Sequence, residues 1–158
     1  MIDSPAKSEK AALAAVQRCT CFNLRKAARA VTQLYDEFMR PTGLRATQFS
    51  LLAVIRIAGK ISISDLAQEA VMDRTTLKRN LELLERDGLV RIHPGDDARV
   101  REVSLTAAAQ KKLAAALPYW TRAQNHVTRK LGPARSDQLL SNLSAAIGAA
   151  QTEGRDAG

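Results

Sequence analysis

The chain has 158 residues, with 24 Lys and Arg against 16 Asp and Glu, a net charge of +8 and a pI near 10.0. That length holds one globular unit with a core, or a small module plus helices that pair with a second copy, and excludes two large independent domains. The charge favours a polyanionic partner, nucleic acid or an acidic membrane surface, and an aromatic content of 4% is too sparse for the stacking surfaces of single-strand binders, which makes duplex nucleic acid the default.

No uninterrupted apolar run approaches the ~18 residues of a membrane span, and the opening MIDSPAKSEK lacks the apolar stretch of a secretory signal. A cytoplasmic location without membrane association is therefore expected. Residues 1–22 read as an N-terminal extension carrying a Cys-x-Cys pair, and its first ten residues, polar with one Pro, are expected to fray.

From Asn23 to Arg40, Leu24, Ala27, Val31, Leu34 and Phe38 recur at three- and four-residue steps, the stripe of an amphipathic helix that Pro41 and Gly43 end. Residues 23–44 form the first candidate dimerisation segment. A second helix fits Thr47–Ala58, closed by Gly59. A third begins at Ser62, where Ser62-Ile-Ser-Asp65 has the Ser-x-x-Asp form that caps a first turn.

Asp73 can cap a further helix, Arg74–Asp87, which Gly88 stops, with Leu77, Leu81 and Leu84 on one face. The opposite face carries Thr75, Lys78, Arg79, Glu82 and Arg86. Cationic and hydroxyl side chains gather in its N-terminal half and acidic ones toward its C-terminus. A phosphate backbone would accept the first half and repel the second, so this helix would enter a groove by its N-terminus.

Val90 and Ile92 then alternate with polar residues, Pro94-Gly-Asp-Asp-Ala98 is turn chemistry, and Val103 and Leu105 alternate again, which predicts a two-stranded hairpin. Arg91, Arg99 and Arg101 give it more guanidinium than a structural turn needs. Beyond Thr106, Leu113, Leu117, Trp120, Val127 and Leu131 approach a heptad seam, with a kink expected at Pro118. After Gly132-Pro133 a last helix carries Leu139, Leu140, Leu143, Ile147 and Ala150, and residues 152–158 read as a flexible tail.

The fold class that follows is mainly α with a small β-hairpin wing: a winged helix-turn-helix over 45–105, flanked by dimerisation helices at 23–44 and 106–151. The terminal helices present more apolar seam than the module covers, so they are expected to pack against a second copy. A twofold homodimer would set two recognition helices about one duplex turn (~34 Å) apart, on a near-palindromic operator.

The sequence resembles the MarR family of bacterial transcription regulators from about Asn23 to Ala150. The resemblance rests on Gly43-Leu44 followed by Gln48-Phe49, on Asp65-Leu66-Ala67, Asp73-Arg-Thr-Thr-Leu77 and Leu84-Glu-Arg-Asp-Gly-Leu-Val90, and on Asp97-x-Arg99 leading to Val103-Ser-Leu-Thr106. It implies a homodimeric repressor in which Arg74, Thr75, Thr76, Lys78 and Arg79 face the major groove. It further implies that Arg99, oriented by Asp97 and joined by Arg101, reaches the backbone or minor groove. A small-molecule effector at the junction of the terminal helices and the DNA module is implied as well, with Trp120 and Phe38 as lining or core. Arg45 departs from the family, which often has Thr or Ser there to cap the second helix; Thr47 is the alternative cap.

Cys19 and Cys21 are the unusual feature. In an extended segment residues two apart project to the same side, whereas on a helix they diverge by about 200°. With Thr20 or Cys21 at a helix N-terminus and Arg18, Arg25 and Lys26 nearby, thiolate would be favoured. Two thiols per chain give four per dimer, the ligand count of a [2Fe–2S] cluster or a Cys₄ zinc site. The alternatives are reversible oxidation, or packing of small residues at a helix start.

An enzyme is disfavoured: there are two His, no glycine-rich phosphate loop, no His-Glu-x-x-His and no nucleophile with an evident base nearby in sequence. The remaining alternative is a winged-helix module that binds protein without reading DNA.

Overall fold

The computed structural model describes residues 5–152. Seven helices and three short strands follow in order: α1 Pro5–Ala14, α2 Thr20–Met39, α3 Ala46–Ala58, β1 Lys60–Ser62, α4 Ile63–Glu69, α5 Arg74–Arg86, β2 Val90–Pro94, β3 Arg101–Leu105, α6 Ala107–Leu131 and α7 Pro133–Thr152. The N-terminal extension is thus helical from Pro5 instead of frayed, and a 3-10 turn at Ala15–Arg18 joins it to α2. The expected tail begins with Thr152 at the end of α7, and its remainder lies outside the described residues.

Local signals set most boundaries. The Ser62 hydroxyl accepts from the Asp65 N–H at 3.0 Å and starts α4; the Asp73 carboxylate accepts from the Thr76 N–H at 2.8 Å and starts α5; the Thr106 hydroxyl accepts from the Ala109 N–H at 3.1 Å and starts α6. Gly88, at φ 70°, provides the left-handed residue that ends α5. α6 runs unbroken through Pro118, and the Thr121 hydroxyl donates to the Leu117 carbonyl one turn away.

The cap of α3 corrects the expectation for Thr47, which lies inside the helix. Arg45 occupies the cap position, and a guanidinium has no lone pair to offer. Asp36, from α2, takes over: its Oδ1 accepts from the Ala46 N–H at 2.7 Å and its Oδ2 pairs with the Arg45 guanidinium at 3.1 Å. Gln48 accepts from the Arg45 N–H at 2.9 Å. One carboxylate therefore ties the end of a terminal helix to the start of the next.

The hairpin is also larger than expected. β1 joins it to make a three-stranded antiparallel sheet in the order β1-β3-β2, with Ile61 and Ile92 both opposite Val103. Those three side chains share the sheet face that meets the core. Met39, Leu52, Ile55, Leu66, Leu77, Leu81, Leu84, Val90 and Val103 are fully buried there, so the core sits within the helix-turn-helix and its wing. Trp120 belongs with it, stacked on Phe49 at 5.9 Å between ring centroids. The terminal helices add Met39 of α2 and Ala109, Ala116 and Trp120 of α6 to this core, while Leu13, Val31, Leu117, Leu139, Leu140 and Ile147 on them are exposed.

Candidate nucleic-acid interface

α5 is amphipathic by construction. Leu77, Leu81 and Leu84 fall within about 60° of one another around the helix, at 100° per residue, and are sunk in the core. Thr75, Arg79 and Arg86 point the opposite way, with Lys78 and Glu82 beside them. Arg74 and Thr76 stand on the flanks, and all five predicted groove residues are exposed.

These side chains are not equivalent. The Arg74 guanidinium donates to the Ser64 hydroxyl at 3.2 Å, which braces the first turn of α5 against α4. Lys78 pairs with Glu82 one turn on at 3.9 Å, an exposed contact of small energetic worth. Arg79 enters no ion pair among the described residues, so its five N–H donors are free for a base edge or a phosphate.

The Asp73 cap sits at the tip of this helix. Hydrogen bonds from Thr76, first its side chain and then its backbone N–H, hold the Asp73 carboxyl below the usual value of 3.8. A depressed folded-state value means the cap stabilises the native state above about pH 4 and is lost as pH falls through the lower folded value. Asp73→Ala should lower Tm by roughly 2–5 °C at pH 7. The wild-type advantage should shrink below pH 4 in thermal melts; a gap independent of pH would mean that the carboxylate does not cap.

Between α4 and α5 the turn places Val71 at φ 50°, a left-handed conformation that β-branched residues rarely adopt. The Val71 N–H donates to Gln68 O and the Met72 N–H to Ala67 O, which closes the end of α4 and aims α5.

At the wing, Asp97 acts on Arg99 through the backbone. Its Oδ1 accepts from the backbone N–H of Arg99 at 2.9 Å, and the carbonyl of Asp97 accepts from Val100. It shapes the turn that presents Arg99, and among the described residues no ion pair joins the two side chains. Arg99 and Arg101 are exposed, on the tip and the first position of β3.

Two contacts that sequence reasoning missed fix the wing. Glu85 of α5 accepts from the Ile92 N–H at 3.0 Å, a direct strut from recognition helix to hairpin. Glu102 lies between Gly95 and Lys60, 3.5 Å from the Lys60 ammonium, which also approaches Asp96 at 3.8 Å. A Cβ at position 95 would come within 3.1 Å of the Glu102 side chain, which would have to give by a few tenths of an ångström to admit it. Glu102 Oε2 is buried with only that ammonium to serve it. No periodic signal marks such pairs, because Lys60 reaches β3 only through the three-residue strand β1.

Cys19 and Cys21 are both free and exposed. The structure splits them: Cys19 is extended at the cap of α2, and Cys21 already lies in its first turn, so they do not share one side of an extended segment. Among the described residues no group of three or more His, Cys, Asp or Glu is placed to hold a metal ion, so one chain offers two thiols and no third ligand. His93 bonds within the wing, to Ser104 and Pro94 O, and His126 rests against Phe38.

A capped recognition helix, an arginine-bearing wing and a core shared by the helices and sheet that carry them define a winged helix-turn-helix DNA-binding protein. The MarR family model matches residues 42–99, which runs from the end of α2 to the wing tip. The transcriptional regulator MosR of M. tuberculosis, solved in complex with DNA, is 44% identical, covering 84% of this chain and 98% of that one with a TM-score of 0.74. An uncharacterised helix-turn-helix-type transcriptional regulator of Bacillus subtilis, YwoH, is 29% identical over 97 residues, 61% of this chain and 71% of that protein. A mutant of E. coli MarR complexed with operator DNA shares the fold, at 23% identity over 78% of this chain and 90% of that one, with a TM-score of 0.72.

The chain belongs to the MarR family and is a transcriptional regulator, not an enzyme. No helix among the described residues is long and apolar enough to cross a membrane.

Proposed function

We propose that the protein is a cytoplasmic homodimeric repressor that reads a near-palindromic duplex operator and releases it when Cys19 and Cys21 are oxidised. The observation that carries the DNA-reading part is α5 itself: three leucines anchor it at 0–1% exposure while Arg74, Thr75, Thr76, Lys78 and Arg79 are exposed on its outer side and flanks. Residues 45–105 form the reading head, with Arg99 and Arg101 on the flanking backbone or minor groove and Asp97 shaping the tip. The similarity to a regulator solved on DNA supports the same use here. A protein-docking winged helix would present an apolar surface in place of this basic one.

The dimer is supported by the exposed apolar side chains of the terminal helices, among them Leu140 at 56% and Leu13 at 61% exposure. Segments 23–44 and 106–151 would cover them in a second copy. Sedimentation should give a dimer, and a duplex containing an inverted repeat should bind one dimer with an affinity that falls steeply with salt. A monomer in solution and on DNA would overturn the arrangement.

For the signal, thiol oxidation fits the geometry better than metal binding, which lacks further ligands among the described residues. Asn23 Nδ2 donates to the carbonyls of Gln17 and Cys19 at 2.8 and 2.9 Å, and its backbone N–H also donates to Cys19 O. Asn23 therefore clamps the extension to α2. With a peroxide as oxidant, one thiolate attacks a peroxide oxygen to give a sulfenic acid and water or an alcohol; the second thiol then displaces water to close the disulfide. Closure requires Cβ atoms ~4 Å apart, whereas side chains on either side of a helix start diverge, so the first turn of α2 must unwind and the Asn23 clamp open.

A further inference from the structure

Lys60 stands where the helix-turn-helix meets the wing. It follows Gly59 at the end of α3, opens β1 and lies opposite Ser104 of β3. From there its ammonium reaches two carboxylates of the wing, Glu102 at 3.5 Å and Asp96 at 3.8 Å, while the side chain remains 56% exposed. Among the described residues it is the one lysine paired with two acids, and no other cation comes within ion-pair reach of Glu102, whose Oε2 is buried without a hydrogen-bond donor. Glu102 in turn lies against Gly95, whose N–H donates to Val100 O at 2.7 Å and closes the turn that carries Arg99. A single ammonium therefore links the reading head to the wing tip.

We propose that Lys60 is an acetylation site, reacting directly with an activated acetyl donor, a thioester or an acyl phosphate, and that the modification weakens DNA binding through the wing. The second part rests on the function proposed above. The chemistry is open to lysine and closed to arginine, whose guanidinium stays protonated. The ammonium gives a proton to water, the free Nζ attacks the acyl carbon, an amide forms and the thiolate or phosphate leaves. The product keeps one N–H and no positive charge.

That loss acts on the wing in two ways. One N–H cannot serve two carboxylates, and a buried Glu102 without a counter-charge must turn out to water or open the edge of the sheet. Either movement releases Gly95 and the turn it closes. The charge of the wing changes as well. Between Pro94 and Glu102 the carboxylates are Asp96, Asp97 and Glu102 and the guanidiniums Arg99 and Arg101, so Lys60 is the cation that balances the set. Without it the wing is net negative beside a phosphate backbone.

The test uses the full chain. Incubation with acetyl phosphate and, separately, with acetyl coenzyme A should leave Lys60 acetylated in the folded protein, read by peptide mass spectrometry, and the two reactions tell the donors apart. Lys60 left unmodified by both would overturn the site. Because these reagents also reach other lysines, affinity is measured on protein carrying Nε-acetyllysine at position 60 alone, installed during synthesis. It should bind operator and scrambled duplexes about five- to tenfold more weakly than the unmodified chain, within the range of coupled sites. Amide hydrogen exchange should rise across β1 and β3 while global melting stays close to that of the unmodified chain. Lys60→Gln should behave likewise. Glu102→Gln removes the buried charge, so in that background most of the acetylation effect should disappear. Unchanged affinity of the acetylated protein, or an equal loss in the Glu102→Gln background, would overturn the switch. A collapse of global melting would make Lys60 a folding residue and overturn it too. If the unmodified chain shows no preference for the operator, the DNA-reading proposal falls instead, and acetylation of Lys60 stands or falls by mass spectrometry and exchange alone.

Discussion

Arg79→Ala should weaken operator binding by roughly 10- to 100-fold, the worth of about 1–3 kcal/mol expected for a bidentate arginine on a base edge. The expectation singles out Arg79 from its neighbours for structural reasons. Arg74 is held by Ser64 and Lys78 is drawn toward Glu82, whereas Arg79 projects from the face opposite the buried leucines with its donors unengaged. The change removes no buried contact, so melting should stay close to wild type. A base contact also has a signature that a phosphate contact lacks: the loss should be confined to the operator and relax the preference at one position of each half-site. Arg99→Ala should instead weaken all duplexes alike and reduce the slope of log K against log salt by about 1. Anisotropy titrations of both variants on operator and scrambled duplexes, at several salt concentrations, decide the matter. Equal losses on both duplexes for Arg79→Ala would make it a backbone contact, and an unchanged affinity would remove α5 from the groove.

What was legible in the sequence is what the chain specifies locally. Ser62 with Asp65, Asp73 with Thr76, and Gly88 each act within a few residues, and the α5 leucines repeat at helical spacing, so the recognition helix and its boundaries follow from short windows. The features that escaped are made by partners on different elements. Asp36 caps α3 from another helix; Glu85 reaches the hairpin; Lys60 becomes a wing residue only because β1 pairs with β3. Arg45 has no cap of its own because the carboxylate that replaces it stands on α2. Phe38, expected as pocket lining or core, is half-buried and packs against His126 of α6, a contact between two helices that neither helix announces alone.

Oxidation of the reduced protein with one equivalent of peroxide should lower operator affinity by at least about tenfold, within the range of 5–150-fold typical of coupled sites. Mass spectrometry should find the peptide containing Cys19 and Cys21 two hydrogens lighter, and a dithiol reductant should restore both the mass and the affinity. The double variant Cys19→Ser, Cys21→Ser should bind the operator as the reduced wild type does and ignore peroxide. Asn23 adds a test of how the signal travels. In the reduced state its side chain joins the carbonyls of Gln17 and Cys19 across the junction that a disulfide has to deform. Asn23→Ala lacks that clamp, so opening it costs less: the disulfide should form more readily, and part of the loss of operator affinity should be present before oxidation. A fully reduced Asn23→Ala protein with wild-type affinity would show that the clamp does not set the DNA-bound geometry. A disulfide that forms in the wild type without any change in affinity would separate the cysteines from DNA binding altogether. Because Cys19 is the extended cap of α2 and Cys21 lies in its first turn, closing the bond would pull on that turn and shift the helix that follows. The exposed apolar side chains of that helix, Val31 among them, are the ones a second copy would cover, so in the proposed dimer the shift would reach the interface and with it the spacing of the two recognition helices.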